Sequence, residues 1–319
     1  MLLHRQPDHV WRIDFQLGRD ADPEAEKDKE RVRARVAAML GPGADFEIEW
    51  ISVYTFRCRR IEKFRHGRIF FLGDAAHQVS PFGARGGNAG VQDADNLGWK
   101  LAAVLAGAAD EALLDSYDAE RIPANDENIL NSTRSTDFIT PKNDAARAYR
   151  DAVLELAARH EFARPLVNSG RLSRPAVLAA SPLNTPDDAP WAGGLPPGAP
   201  AVDAPARWDG REAWLLGHVA LPPPSPASGT ACVAGGDFVL LRFASPEPAA
   251  IGGIATVFVT SVPIPGALHD HTGLIAGRYA AAPGDAILFR PDQHVAARWH
   301  RFDPTFVAAA RDRALGRGA

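Results

Sequence analysis

Hydrophobic and polar positions alternate with period two near the start of the chain. Trp11, Ile13, Phe15 and Leu17 are separated by Arg12, Asp14 and Gln16, a pattern that predicts a half-buried strand. An acidic stretch, Asp20 to Asp28, leads into a helix expected over Lys29 to Leu40 and stopped by Gly41-Pro42-Gly43. A second alternating run, Phe46 to Arg60, reads as one or two strands, and the short apolar run Ile69, Phe70, Phe71, Leu72 as another. The period then changes. Val91, Ala94, Leu97, Leu101, Val104 and Leu105 recur every three or four residues, the stripe of a long helix that buries one face. Asp93 and Asp95 in its early turns and Lys100 later agree with its macrodipole. Asp151 to His160 is again helical. Toward the C-terminus, Asp237 to Phe243 and Ile254 to Thr260 read as strands, Ala286 to Phe289 with Val295 to Trp299 as a hairpin, and about Pro304 to Leu315 as a final helix.

Length and composition narrow the function classes. The 319 residues, 46% hydrophobic and 23% charged, suffice for two domains and a sizeable core. A net charge of −4 and a pI near 6.2 provide no basic field for nucleic acid or anionic membranes. Two cysteines, Cys58 and Cys232, form neither a disulfide framework nor a CxxC pair, so a reducing compartment is expected. The most apolar stretch, Ile251 to Leu268, is broken by Gly252, Gly253, Pro263 and Pro265 and reads as a buried strand rather than a membrane span. The start of the chain, Met1-Leu2-Leu3 followed by His4, Arg5 and Gln6, has no signal-peptide pattern, and the expectation is a cytoplasmic protein. Eleven of the 26 prolines fall between Pro182 and Pro226, which predicts an extended, loop-rich connector.

The chemistry concentrates between Gly67 and Lys100, in GRIFFLGDAAHQVSPFGARGGNAGVQDADNLGWK. An apolar strand runs into Gly73-Asp74, then a Pro/Gly-rich turn, then the start of the long helix. Glycines at Gly83, Gly86, Gly87 and Gly90 let backbone approach a ligand closely, and a helix N-terminus points its N–H groups at that ligand. Asp74 is placed to accept from ligand hydroxyls, or alternatively to cap a turn. The glycine-lined amides fit a phosphate as well as a neutral acceptor edge. His77 reads as a hydrogen-bonded structural histidine with a proton shuttle as the alternative, and Gln92, Asp93 and Asn96 as fasteners of loop to helix. Arg57, Arg59 and Arg60 form a solvated strand face, or meet an acidic substrate or a cofactor phosphate. His269, His271 and His294 have no companion ligands at metal spacing, and no GxSxG motif supports hydrolysis.

The segment GDAAHQVSPFGARGGNAGVQDADNLGWKLAAVL resembles the second flavin-binding motif of the FAD-dependent aromatic hydroxylases, in particular the phenol hydroxylase and 3-(3-hydroxyphenyl)propionate hydroxylase branch. YDAERIPANDENI, from Tyr117 to Ile129, matches the pattern that follows the motif, and the likeness is good over roughly Val10 to Pro141. GDAILFRPDQHVAARW resembles the end of that branch's thioredoxin-like C-terminal domain. The resemblance implies an α/β (α+β) chain with a para-hydroxybenzoate-hydroxylase-like FAD/substrate domain over residues 1–165, a proline-rich connector over 166–212, and a thioredoxin-like domain over 213–319 that serves in packing or homodimer contact. It implies FAD and NAD(P)H as cofactors and a phenolic substrate that receives one oxygen atom from O2. Gly73 and Asp74 would hold the ribityl or ribose portion of FAD. Gly83, Gly86, Gly87, Asn88 and Ala89 would meet the pyrimidine edge, and the carbonyl of Pro81 would orient a substrate hydroxyl. The family's GxGxxG turn is absent from these 319 residues. The expectation is therefore the C-terminal part of such an enzyme, or a natural short form, that binds FAD weakly by itself. A non-catalytic interaction module and a related FAD epoxidase or halogenase remain as alternatives.

Overall fold

The computed structural model describes residues 1–18, 20–167, 174–220, 237–247, 251 and 254–317. Cys232, the prolines from Pro222 to Pro226, and Gly252 and Gly253 lie outside the described residues. The chain begins with a hairpin, β1 (Leu2–Arg5) and β2 (Trp11–Asp14), and the helices α1 (Pro23–Glu26) and α2 (Lys29–Leu40). The short strands β3 (Arg59–Arg60), β4 (Arg65–His66), β5 (Ile69–Phe70) and β6 (His77–Gln78) precede the long helices α3 (Gly86–Leu105) and α4 (Ser116–Ile139), followed by α5 (Asp144–Arg159) and α6 (Arg164–Val167). The remainder is β7 (Pro205–Trp208), β8 (Arg211–Trp214), α7 (Leu215–Ala220), β9 (Phe238–Arg242), β10 (Ile254–Thr260), β11 (Leu268–His269), α8 (Leu274–Tyr279), β12 (Ala286–Phe289), β13 (Val295–Trp299) and α9 (Pro304–Ala314). It divides into two compact units, one of residues 1–57 with 136–167, the other of residues 58–135 with 168–319.

In the first unit α2 starts where Asp28 accepts from Arg31 N at 2.8 Å, and α5 where Asn143 accepts from Ala146 N at 2.8 Å. Buried Glu26 holds Arg31 and Arg35 at 2.9 and 2.5 Å. The strands expected over Phe46 to Arg60 form only as Arg59–Arg60, paired with β6. A strand needs a ladder partner and a face to bury. Here the alternating Trp50, Tyr54 and Phe56 stay exposed and touch one another, with Tyr54 and Phe56 stacked at 6.1 Å.

The second unit is organised by a seven-stranded sheet among the described residues, in the order β13-β12-β9-β10-β11-β7-β8. β9, β10 and β11 run parallel, and β12, β13, β7 and β8 complete it antiparallel. Its central strands are buried on both faces, which explains why FVLLR and AILF read as continuous apolar runs. Leu240, Leu288 and Ala297 pack on one side with Val307 and Ala310 of α9 and with Trp99 of α3. Val239, Leu241, Ile287 and Phe289 pack on the other with Leu215 of α7 and Ile275 and Tyr279 of α8.

The proline-rich stretch is bonded to the sheet rather than looping free over the surface. Gly198 N and Thr185 N donate to the carbonyls of Val295 and Ala296, and Ala201 N to that of Gln293. Arg298 of β13 pairs with Asp187 at 2.6 and 2.9 Å and lies over the Trp191 ring at 4.5 Å. These contacts form because the extended backbone that proline favours can supply ladder bonds from its remaining N–H groups.

A buried polar cluster ties α3 and α4 to the β12–β13 turn. Glu120 of α4 accepts from Lys100 (2.6 Å), Asn96 (2.7 Å), Arg290 (2.5 and 3.1 Å) and Ser181, and Arg290 also binds Asp292 at 2.5 and 2.9 Å. Burial pushes both carboxyls up, but Arg290 outweighs it, helped by Lys100 at Glu120 and by His294 at Asp292, and both are held well below the usual range. Burial pushes Lys100 down to about 8 against the pull of Glu120.

Two outcomes are expected. Arg290→Ala removes the cation shared by two buried carboxylates, leaving Glu120 with the Lys100 cation, and costs about 3–5 kcal/mol in urea unfolding at neutral pH. The carboxylates bind protons less tightly folded than unfolded, so their contribution is full above the ordinary carboxylate range and is lost as pH falls below about 5. Glu120→Gln should therefore unfold more easily at neutral pH and show a shallower loss of stability on acidification than the wild type.

Candidate functional site

Strand β5 and its partner β4, paired Arg65 to Phe70 and His66 to Ile69, deliver the chain into a single 3-10 turn, Gly73–Ala75. Gly73 takes a left-handed φ of +55°, and its Cα would stand 3.3 Å from a Cβ placed on Gly90. Gly73 suits its left-handed backbone, and a side chain at Gly90 would press on the Gly73 backbone, so the two glycines let the segments approach closely. The turn and the first turns of α3 are thus in direct contact.

Asp93, fully buried about two turns into α3, fixes the arrangement. Its Oδ2 accepts from Gly73 N at 3.0 Å and from His77 Nε2 at 2.5 Å, and its Oδ1 from Arg121 Nε at 2.7 Å and Asn125 Nδ2 at 3.1 Å. Burial pushes this carboxyl up, but the His77 hydrogen bond and the charge of Arg121 outweigh it and hold Asp93 below its ordinary value. An ionised carboxylate only accepts, so His77 carries its proton on Nε2. His77 is structural here, and Asp93 fastens loop to helix.

The expected residues occupy one continuous stretch of backbone around this contact. Asp74 is exposed and its carboxylate accepts no hydrogen bond among the described residues. Pro81 closes a turn by accepting from Ala84 N at 3.1 Å, and Gly83 continues it at φ +90°. α3 begins at Gly86 with no side-chain cap from Arg85, whose buried guanidinium donates to Asn128 instead at 3.2 Å. At Gly87 a Cβ would meet nothing within 4 Å, so the backbone there is open to a ligand, whereas at Gly86 it would touch Val79 at 3.4 Å. Asn88 donates to Ala84 O at 2.6 Å and is exposed, and Ala89 is buried with its carbonyl facing Arg121 at 3.4 Å.

Three expectations change. The apolar stripe of α3 does not define its buried face, since Val91 and Leu105 are 69% and 84% exposed. The buried positions are Ala89, Asp93, Asn96, Leu97, Trp99 and Lys100, so Asp93 and Lys100 serve as ion-pair partners inside the fold and not as solvated dipole complements. Arg59 and Arg60 are engaged within the chain, Arg59 with Gln78 at 3.0 Å and Arg60 with Asp126 at 2.6 and 3.0 Å. Ser80 is a buried partner of Ser132 at 2.7 Å and not a simple turn residue. A cleft of about 690 Å³ lined by Lys63, Arg65, Glu111, Asp115 and Asp118 includes none of the expected site residues, and Arg65 bridges two of its carboxylates at 2.7 Å.

Arg121, Asn125, Glu120 and Arg290 drew no role from the sequence. A signal existed in polar periodicity: Tyr117, Arg121, Asn125, Asn128 and Ser132 recur every three or four residues and face inward along α4.

Comparison with known proteins agrees with this geometry. Residues 3–132 match the FAD binding domain family. The tetracenomycin A2 monooxygenase-dioxygenase of Streptomyces glaucescens is 32% identical over 88% of this chain and 46% of its own length. The 3-(3-hydroxy-phenyl)propionate/3-hydroxycinnamic acid hydroxylase of Mycolicibacterium vanbaalenii is 39% identical over 47% of this chain and 26% of its own. Among solved structures, BexE superposes with a TM-score of 0.64 at 27% identity over 100% of this chain and 59% of its own. The flavin-dependent monooxygenase PieE, solved with FAD and substrate, shares the fold with a TM-score of 0.71 at 23% identity, over 95% of this chain and 57% of its own. The chain spans about half the length of the curated relatives it matches along most of its own length. No helix among the described residues is long and apolar enough to cross a membrane. Residues 3–132 thus carry a match to the FAD binding domain family, and the mixed α and β chain is similar along most of its length to part of a monooxygenase-dioxygenase.

Proposed function

We propose that this chain forms the ribityl and pyrimidine end of the flavin site in an FAD- and NAD(P)H-dependent monooxygenase that hydroxylates a phenolic or polycyclic aromatic substrate. The observation that carries the reading is the seating of the Gly73–Asp74 turn on Gly90 in α3. It puts an unengaged carboxylate and an uncapped helix N-terminus side by side. The residues present fit the group. Asp74 accepts from ribityl hydroxyls, Gly73 allows the chain to pass closely, and the amides of Gly86, Gly87 and Asn88 donate to the pyrimidine edge, whereas the Ala89 amide already donates to Arg85 O at 2.9 Å within the helix and lines the site without a free N–H. Bound FAD supplies the electron transfer and oxygen activation. The protein supplies oriented donors that stabilise negative charge on the pyrimidine edge without reorganising. Gly83 lets the preceding turn bend against the ring, and the Pro81 carbonyl, which keeps a lone pair beyond its bond to Ala84, orients a substrate hydroxyl.

The division at residues 165 and 212 and a thioredoxin-like C-terminal domain belong to the same proposal. The strand order β13-β12-β9-β10, with β9 and β10 parallel, β12 and β13 antiparallel and α9 last, supports that topology. With no CxxC pair its role is packing, as the Trp99–Phe238 contact at 6.1 Å illustrates.

Flavin fluorescence titration tests the site. Because the residues present contact the isoalloxazine and ribityl portions, riboflavin and FAD should bind with similar, weak affinity, and ADP should not compete. Tight stoichiometric FAD binding reversed by ADP would overturn this division of labour. Asp74→Ala should weaken riboflavin binding about tenfold or more, the loss expected for hydrogen bonds to a charged acceptor. Gly90→Ala, which drives a Cβ to 3.3 Å from Gly73, should also weaken binding, while its gain in helix propensity keeps the thermal midpoint near that of the wild type.

A further inference from the structure

Asp93 is fully buried beneath the motif, and among the cradle residues its side chain meets the Gly73 amide. Its two oxygens divide their work. Oδ1 faces α4, where Arg121 and Asn125 donate, and Oδ2 faces the motif's turn, where Gly73 N and His77 donate. All four partners are donors, so only a group with two acceptor oxygens satisfies them together. Resting on the flavin reading above, we propose that Asp93 is a positioning residue: its Oδ2 anchors the Gly73 amide, and so sets the Asp74 carboxylate at the distance from the α3 N-terminus that a ribityl chain requires.

Replacing one oxygen by an amide group exposes the logic. In Asp93→Asn the remaining oxygen turns to Arg121, the charged donor, and the new NH2 faces Gly73 and His77. His77 accommodates it by moving its proton to Nδ1, which has no hydrogen-bond partner and is buried. Gly73 N has no such freedom, since an amide cannot become an acceptor. The substitution therefore releases one backbone amide while changing side-chain volume hardly at all. Asn125→Ala removes a donor from the opposite oxygen and leaves the Gly73 bond in place.

Amide hydrogen exchange of the intact chain, resolved at Gly73, tests the assignment. In the wild type the Gly73 amide should exchange slowly although it lies in a single 3-10 turn. In Asp93→Asn it should exchange roughly tenfold faster or more, with the amides of β9 and β12 unchanged. Asn125→Ala and the core control Ile287→Val should leave Gly73 protected. Rapid exchange at Gly73 in the wild type overturns the proposal without any variant, and so does acceleration spread evenly over β9 and β12, which marks a merely structural role. A riboflavin titration separates this inference from the reading beneath it. Weaker binding by Asp93→Asn, alongside the local exchange change, supports both. Equal binding by wild type and Asp93→Asn overturns the positioning role. No binding by the wild type overturns the flavin reading, and the exchange data alone then decide whether Asp93 anchors the turn.

Discussion

The hydrogen bond from the Gly73 amide to a buried carboxylate is the constraint from which the motif takes its shape. It joins the end of a short strand to the second turn of a helix twenty residues later in sequence, and it does so where glycine backbones touch. A carboxylate in such a place is costly unless fully satisfied. Here two cationic or proton-bearing side chains, one amide side chain and one backbone N–H share the load. The exposed part of the motif has few contacts of its own. It inherits its geometry from below.

The same solution recurs at the other end of the helix. Lys100, Asn96, Glu120, Arg290 and Asp292 form a second buried set that is close to neutral in charge. The two clusters follow one another along one face of α3, one to two turns apart, and add directional bonds to the apolar contacts of Leu97 and Leu101 with Tyr117 and Ile122 of α4. Directional bonds fix rotation and register, whereas an apolar stripe tolerates sliding. A helix whose first amides are to meet a ligand edge gains from the former. The apolar core of this unit gathers instead around the sheet, where Leu240, Leu288 and Val307 meet.

Much of the fold was legible in the chain. α2, β9, β10, β12, β13 and α9 form where periodicity and caps place them, because each carries both a local signal and a face that finds its partner. The motif was legible for a different reason: close backbone contact demands glycine, and glycine leaves a visible trace at Gly73, Gly83 and Gly90. The misreadings share a cause. Hydrophobic periodicity assigns Val91 and Leu105 to the buried face of α3, yet that face mixes Leu97 and Trp99 with Asp93, Asn96 and Lys100, and partners such as Arg290 lie 170 residues from Glu120. Phe46 to Arg60 shows the converse, an alternating pattern of which only Arg59–Arg60 finds a partner strand among the described residues.

The strap of residues between Ala176 and Ala204 closes one rim of the sheet by donating its amides to β13. The opposite rim, β8, is four residues long and opens with Arg211 and Glu212. Neither border offers the long, uncharged row of free amides that another chain needs to add itself as an eighth strand. Extension of this seven-stranded sheet by a further strand is thereby discouraged at both of its borders.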